Sequence, residues 1–294
     1  MLSAFAKRFL IRGVLLPGLF LFVGAAGARA SAPVVLIAGD VAQCDSPGAQ
    51  STARLIKSLP PYPVLAAGDL AYPRGAPEEF ARCYAPAWGA FKTRTYPAPG
   101  NHEYGTPGAA GYFDYFGARA GEPAKGYYSF DIGQWHIVSL NSNRELESGS
   151  PQWLWLEADL RRHRHACVLA YWHHPRFSSG PHGDDVRLQA IWALLYQQGV
   201  SVVVAGHDHD YERFAPMNDK GERDQARGIR SFVVGTGGAQ RYALKQRHLM
   251  SEVWQGESWG VLQLTLYDTR YVWAFLPVMG GTFHDTGSAQ CVRR

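Results

Sequence analysis

Between residues 34 and 69 the chain twice repeats one arrangement, a short apolar run closed by glycine and aspartate. "PVVLIAGD" ends at Gly39-Asp40 and "PVLAAGD" at Gly68-Asp69. Runs this short, bounded by turn residues, predict buried strands. Between them Ser46-Pro47 supplies a capping residue followed by one favoured in the first helical turn, predicting a helix to about Ser58. Residues 77–92 read as a second helix, and "TYPAPGNHE" returns as a strand toward the same edge. "GYYSFDIGQWHIVSLNSN" predicts two strands around an Ile132-Gly133 turn. Ser150-Pro151 opens a helix with Trp153, Leu156 and Leu160 on one side. "CVLAYWHHP" predicts a strand, Leu188, Ile191, Trp192 and Leu195 a helical stripe, and "VSVVVAGHDH" a further strand. From Gly228 onward strands dominate, with "VLQLTLYDTRYVWAFLPV" alternating around Asp268-Thr269-Arg270. The pattern predicts an α/β fold of two packed sheets flanked by helices.

Five polar clusters stand at comparable places, each after an apolar strand: Asp40, Asp69, Asn101-His102, His173-His174 and His207-x-His209. In open α/β sheets, ligands gather beyond the carboxyl ends of the strands. Glycine precedes four of these clusters, at Gly39, Gly68, Gly100 and Gly206, where it lets the backbone turn sharply and approach a bound ion. Carboxylate, amide and imidazole without thiolate suit iron, zinc or manganese. That many donors exceed the needs of one tetrahedral ion. They suit two ions sharing a bridging carboxylate, an arrangement that clamps both oxygens of an in-line displacement at phosphorus.

Composition changes this picture at the N-terminus. Lys7, Arg8 and Arg12 precede the apolar "GVLLPGLFLFVGAAG", and Ala28-Arg29-Ala30 offers a small-x-small cleavage site. This is the pattern of a secretory signal peptide over residues 1–30, leaving residues 31–294 as one exported catalytic domain, periplasmic or secreted. Setting aside Lys7, Arg8, Arg12 and Arg29 lowers the 29 basic residues to 25, against 25 acids. That balance lacks the clustered basic excess of a nucleic-acid-binding surface, so no nucleic-acid partner is expected. No second apolar span follows, so no stable membrane span is expected after cleavage. Export makes the four cysteines candidates for disulfides, and four permit three pairings. Cys44 and Cys83 each follow closely on a Gly-Asp motif, which favours Cys44–Cys83 and leaves Cys167–Cys291 to pin the chain end.

"GDVA", "GDLAY", "GNHE", "WHHP" and "GHDH" resemble, in order and spacing, the five blocks of the calcineurin-like metallophosphoesterases, and specifically their purple acid phosphatase branch. The resemblance covers nearly all of residues 31–294. It implies a four-layer α/β/β/α sandwich and a binuclear centre that hydrolyses small-molecule phosphate esters. The branch rests on two residues. Many metallophosphoesterases have a histidine ligand two positions after the first aspartate, where this chain has Ala42. Tyr72 stands where the purple branch supplies a phenolate, a hard anionic donor that favours Fe(III). The branch normally has glycine at position 42, so alanine is a small departure.

Carried over by this resemblance, one ion would take Asp40, Tyr72 and His209 and the other Asn101, His173 and His207, with Asp69 bridging. The ions implied are Fe(III) and a divalent partner, zinc, iron or manganese. His173 is preferred to His174 because the family's ligand lies two residues before proline. His102 falls where the family has a histidine that stabilises the transition state or protonates the leaving oxygen. His182 has the spacing of another phosphate-facing histidine, though a solvated loop histidine reads almost as well. A bound metal lowers the pKa of water from 15.7 to about 7, so the resemblance implies attack by metal-bound hydroxide. Phosphate monoesters are the expected substrates. A phosphodiesterase or nucleotidase on the same centre, and a non-catalytic phosphate-binding relative, are the alternatives. Plant members carry an extra N-terminal sandwich domain, expected to be absent here. Substrate-shaping loops are then expected from residues 103–125, 141–150 and 214–228, with Gly235–Tyr242 as a rim loop.

Overall fold

The computed structural model describes residues 31–292 apart from Ala124, His165 and Ala166; the expected signal peptide lies outside the described residues. Two mixed sheets form the frame. The first holds β1 (Val34–Ala38), β2 (Val64–Ala67) and β3 (Thr95–Ala98), with β11 (Gly260–Leu266), β12 (Arg270–Pro277) and β13 (Thr286–Gln290), in the order β13-β12-β11-β1-β2-β3. The second holds β4 (Tyr128–Ile132), β5 (Trp135–Ser139), β6 (Cys167–Tyr171), β7 (Val202–Ala205), β8 (Tyr211–Phe214), β9 (Arg230–Val234) and β10 (Ser251–Gln255). Its order is β10-β8-β9-β7-β6-β5-β4. Within them β1, β2 and β3 run parallel, as do β5, β6, β7 and β9.

Side-chain alternation explains the layering. In β6, Cys167, Leu169 and Tyr171 join the cluster between the sheets, whereas Val168, Ala170 and, just past the strand, Trp172 join a separate one. That second cluster buries Leu156 and Leu160 of helix 151–162 with Ile191, Trp192 and Leu195 of helix 189–197. Period-two strands thus present one face to the opposite sheet and the other to helices. The first sheet is covered by helix 48–58 and the helical run 77–94, which Trp88 ties together by donating its indole N–H to Thr52 at 3.0 Å. This is the expected two-sheet architecture with flanking helices.

Helix starts follow the caps. The Ser46 hydroxyl accepts from the Gly48 amide at 3.1 Å and the Ser150 hydroxyl from the Trp153 amide at 3.3 Å. Two local expectations need correcting. The run after Pro77 changes hydrogen-bond pattern, with a π turn over Phe80–Tyr84 and a 3₁₀ segment over Gly89–Arg94. Pro86 has no N–H for the carbonyl of Arg82, so a regular ladder cannot pass through it. The hairpin loop is Gly133-Gln134 rather than Ile132-Gly133, because Ile132 pairs with Trp135 and Gly133 takes the positive φ. Both favoured disulfides, Cys44–Cys83 and Cys167–Cys291, are formed.

Candidate metal centre at the joined strand ends

Parallel strands deliver all their carboxyl ends to one edge, and there the two sheets are joined through backbone. The Gly39 amide donates to Val234 and Gly237 to Gly39, each at 2.9 Å, while within the second sheet Gly206 donates to His173 at 2.9 Å. Asp40, Asp69 and His207 adopt left-handed φ values of 60°, 51° and 72°. Such backbone is costly for residues other than glycine and concentrates at functional sites. Space is as constrained as conformation. A Cβ at Gly100 would lie 2.0 Å from an Asp69 carboxylate oxygen, and one at Gly206 would lie 2.5 Å from Asp40. Any side chain there would push into a carboxylate.

The seven residues expected as ligands converge. Tyr72 Oη lies 3.0 Å from Asp40 Oδ1, 3.4 Å from Asp69 Oδ2 and 3.1 Å from His209 Nε2. His173 Nε2 lies 3.0 Å from both Asn101 Oδ1 and Asp69 Oδ2, and 3.1 Å from His207 Nδ1. Asp69 therefore stands between the Tyr72–His209 half and the His173–Asn101 half. Of the adjacent histidines, His173 turns its nitrogen toward Asn101 and Asp69, while His174 Nδ1 is 2.7 Å from the Ser142 hydroxyl. His174 stays close, its ring 4.5 Å from that of His207.

The donor chemistry fits cations. The His173 Nδ1–H donates to the Ala67 carbonyl at 3.0 Å, and the His209 Nδ1–H donates to that of Gln240. Each ring's remaining nitrogen then points its lone pair at carboxylate, amide or phenol oxygens. Acceptors facing acceptors in a buried site need added positive charge, and a backbone carbonyl fixing the far nitrogen is the usual support of a metal-bound imidazole. In metal-free protein a proton supplies part of that charge. Burial opposes charge on His173, but Asp69 outweighs it and raises the imidazole to about 9. Asp69 is held down to about 2 by His173 and His102, despite burial. Burial and surrounding histidines keep His207 neutral. Burial and the carboxylates of Asp40 and Asp69 raise the Tyr72 phenol well above its ordinary range, so only a bound cation would deprotonate it.

The two expected catalytic histidines rim this cluster. The His102 ring packs 4.3 Å from that of Tyr72, and its Nδ1–H donates to the Pro73 carbonyl. Its Nε2 lies 3.7 Å from Asp69 and is partly open to solvent. His182 is no detached loop residue. Its Nδ1 is 2.8 Å from Asp208 and its ring 4.0 Å from His207. A cavity of about 590 Å³ opens beside Tyr72, His102 and His209, walled by the Cys44–Cys83 disulfide and by Gln240 and Tyr242 of the expected rim loop. Its walls come from residues 43–45, 72–83 and 240–242, not from the three other loops expected to shape it.

Four supporting residues escaped the sequence reading. Buried Glu103 accepts from the backbone N–H groups of Asp69, Leu70 and Gly100 at 2.7–2.9 Å, lashing the second and third clusters together. Burial, with the nearby Asp69 charge, raises its carboxyl to about 7. Asp208 orients His182. Gln240 fixes His209, and Tyr242 stacks on the His209 ring at 4.0 Å. Each sat in or beside a stretch already singled out, Glu103 next to Asn101-His102, Asp208 between His207 and His209, and Gln240 and Tyr242 in the rim loop, but no local pattern showed what it would hold.

A family model described as calcineurin-like phosphoesterase matches residues 33–211. The chain belongs to that family. Purple acid phosphatase 21 of Arabidopsis thaliana is 38% identical over 118 residues, 38% of this chain and 26% of that protein. This chain thus matches about a quarter of that relative's length. A nucleotide pyrophosphatase/phosphodiesterase of Hordeum vulgare is 23% identical over 311 aligned positions, covering 86% of this chain and 81% of that one. Among solved structures, purple acid phosphatase PPD1 from yellow lupin (Lupinus luteus) seeds superposes with a TM-score of 0.72 at 20% identity, covering 88% of this chain and 54% of that one. The calcineurin-like phosphoesterases are a binuclear metal class, and the His173/His174/His207 and Asp40/Asp69/His173 groups are arranged so that they could hold a metal ion.

Proposed function

We propose that the protein is an exported binuclear-metal phosphatase that hydrolyses phosphate monoesters, with residues 1–30 as its signal peptide. The observation that carries this reading is the meeting of Asp40, Asp69, Tyr72, Asn101, His173, His207 and His209, each with a side-chain oxygen or nitrogen about 3 Å from another of the set. Asp40, Tyr72 and His209 would hold one ion, Asn101, His173 and His207 the other, and Asp69 would join them. Two ions held there supply activated water and neutralise phosphoryl charge. His102, fixed by the Pro73 carbonyl and open to the cavity, is placed to donate a proton to the leaving oxygen. His182, held by Asp208, faces phosphate from the His207 side. Glu103 keeps the strand-end loops in register, and the cavity beside Tyr72 receives the leaving group.

Similarity to the barley protein named for pyrophosphate and phosphodiester chemistry supports a second reading, a diesterase on the same centre. Purified, metal-loaded protein assayed on p-nitrophenyl phosphate and its bis ester separates the two; faster turnover of the bis ester would favour the second. Inertness on both would favour a phosphate-binding relative. The purple branch adds a spectroscopic expectation. Iron-loaded protein should be violet to pink through an Fe(III)–Tyr72 charge-transfer band, and Tyr72→Phe should lose that band. A colourless iron-loaded protein, or a Phe variant that keeps the band, removes Tyr72 from the ligands.

A further inference from the structure

A second imidazole–carboxylate cluster lies at the other edge of the second sheet. β5 pairs in parallel with β6 so that His136 stands opposite Val168, at the start of β6, whereas His173 follows that strand's end. His136 turns away from the inter-sheet core toward helix 151–162. Its Nδ1 is 2.7 Å from Asp131 Oδ1 on edge strand β4, and its Nε2 is 2.7 Å from Asp159 Oδ2 on the helix. A neutral imidazole carries one N–H and satisfies only one of these carboxylates, so the pair calls for one more positive charge. The His163 ring lies almost parallel to His136, 3.7 Å away. Its Nδ1–H donates to the Asp159 carbonyl at 2.8 Å, which leaves Nε2 as the unprotonated nitrogen. Stacked rings at this distance repel when both are protonated, and their in-plane lone pairs meet at one ion only once the His163 ring turns out of the stack.

We propose that Asp131, His136 and His163 bind one borderline divalent cation such as zinc, separately from the strand-end centre. Their donor atoms all lie within 4.8 Å of one another. Zinc takes nitrogen and oxygen donors at about 2.0–2.2 Å, so modest side-chain movement closes the site. The movement is available, because the Asp131 side chain is 60% exposed and His163 sits just past the helix end. Two imidazoles and one carboxylate select zinc or a similar ion over calcium or magnesium, and water completes the tetrahedron. Asp159 is the supporting carboxylate behind His136, itself held by Ser129 at 3.1 Å and Arg162 at 3.3 Å. Such carboxylate–histidine–metal arrangements fix the tautomer and strengthen the ligand. The ion would clip the β4–β5 hairpin to the end of the helix.

The test is a zinc count on full-length protein, stripped of metal, reloaded with zinc alone and desalted. Asp131→Asn and His163→Gln, both surface changes, should each bind one zinc per chain fewer than wild type and keep its activity on p-nitrophenyl phosphate. Asp159→Asn should weaken the site roughly 10–100-fold. Asp69→Ala should lose zinc at the strand ends yet still bind this ion, and adding Asp131→Asn to that variant should remove it. This last comparison works whether or not the strand-end centre is catalytic. Equal zinc counts in wild type and both surface variants would overturn the proposal and leave the cluster an ion pair.

Discussion

Two buried polar clusters of this molecule differ in whether their groups match. Around β8, β9 and β10, Arg213 meets Asp285 at 2.8 Å and Arg230 meets Glu252 at 2.8 Å. Asp285 also accepts from the Tyr211 hydroxyl at 2.7 Å and the Trp273 indole at 3.2 Å. Cation stands against anion and donor against acceptor, although the buried Arg230 Nε has no hydrogen-bond partner among the described residues. At the joined strand ends, Asp40, Asp69, Asn101 and the outward nitrogens of His173 and His209 crowd together with no arginine or lysine among them. Buried polarity alone therefore marks no site. A surplus of lone pairs does.

Asp69 tests this contrast most severely. Asp69→Ala should cost metal and at least roughly 10³-fold in turnover, since charge stabilisation at the reacting centre is lost. Its stability in metal-free buffer should fall as well, because there Asp69 pairs with His173 at 3.0 Å and accepts from the His102 amide at 2.8 Å. Metal analysis, kinetics and denaturant unfolding of one preparation read all three. Unchanged turnover would end the strand-end reading.

His102→Ala should keep both metals and lose roughly 10²-fold or more, the usual contribution of a positioned general acid. The loss should shrink for esters with good leaving groups, which need less protonation. An equal loss on every ester would instead assign His102 to phosphoryl stabilisation. The matched cluster should respond in the opposite currency to the site. Asp285→Ala leaves Arg213 with Glu252 alone and takes the acceptor from Tyr211 and Trp273, and should destabilise by about 3 kcal/mol, the scale for breaking a buried pair. Folded variant should retain wild-type kcat. Loss of activity without loss of stability would mean the two clusters are coupled.

The strand ends were legible because their signals are local. Apolar runs fix strands, Gly-Asp and Gly-His fix the turns beyond them, and parallel order brings those turns together without knowledge of the packing. The disulfide pairs were legible because Cys44 and Cys83 follow turns on neighbouring strands. What stayed hidden depends on distant backbone. Gln240 reaches His209 across 31 residues, Asp208 acts on His182 across 26, and Arg213 meets Asp285 across 72. The cavity walls were misplaced for the same reason. Residues 77–92 read as a plain helix, and neither the turn widened ahead of Pro86 nor the cavity beside it follows from periodicity.

The smallest effect belongs to the His136 cluster, which lies between the two extremes: partly matched, and short of one charge. Burial disfavours charge on His136, but the hydrogen bonds to Asp159 and Asp131 outweigh it and raise the imidazole above its ordinary value. Asp159 moves the other way, lowered by His136 against the cost of burial. Arg162 and His163 are the other charged or titratable groups facing this pair. In metal-free protein the raised imidazole stabilises fully below about pH 6.5, and that contribution is lost as pH rises through its folded value. The lowered carboxyl contributes above about pH 3.9 and fails as pH falls through its own folded value. Both contributions coexist between these limits. Wild type should therefore lose more stability than His136→Gln between pH 6 and pH 9, measured by denaturant unfolding with chelator present. Parallel profiles for the two proteins would show that His136 folds with no gain in proton affinity, and that its two carboxylates are no better matched than those at the strand ends.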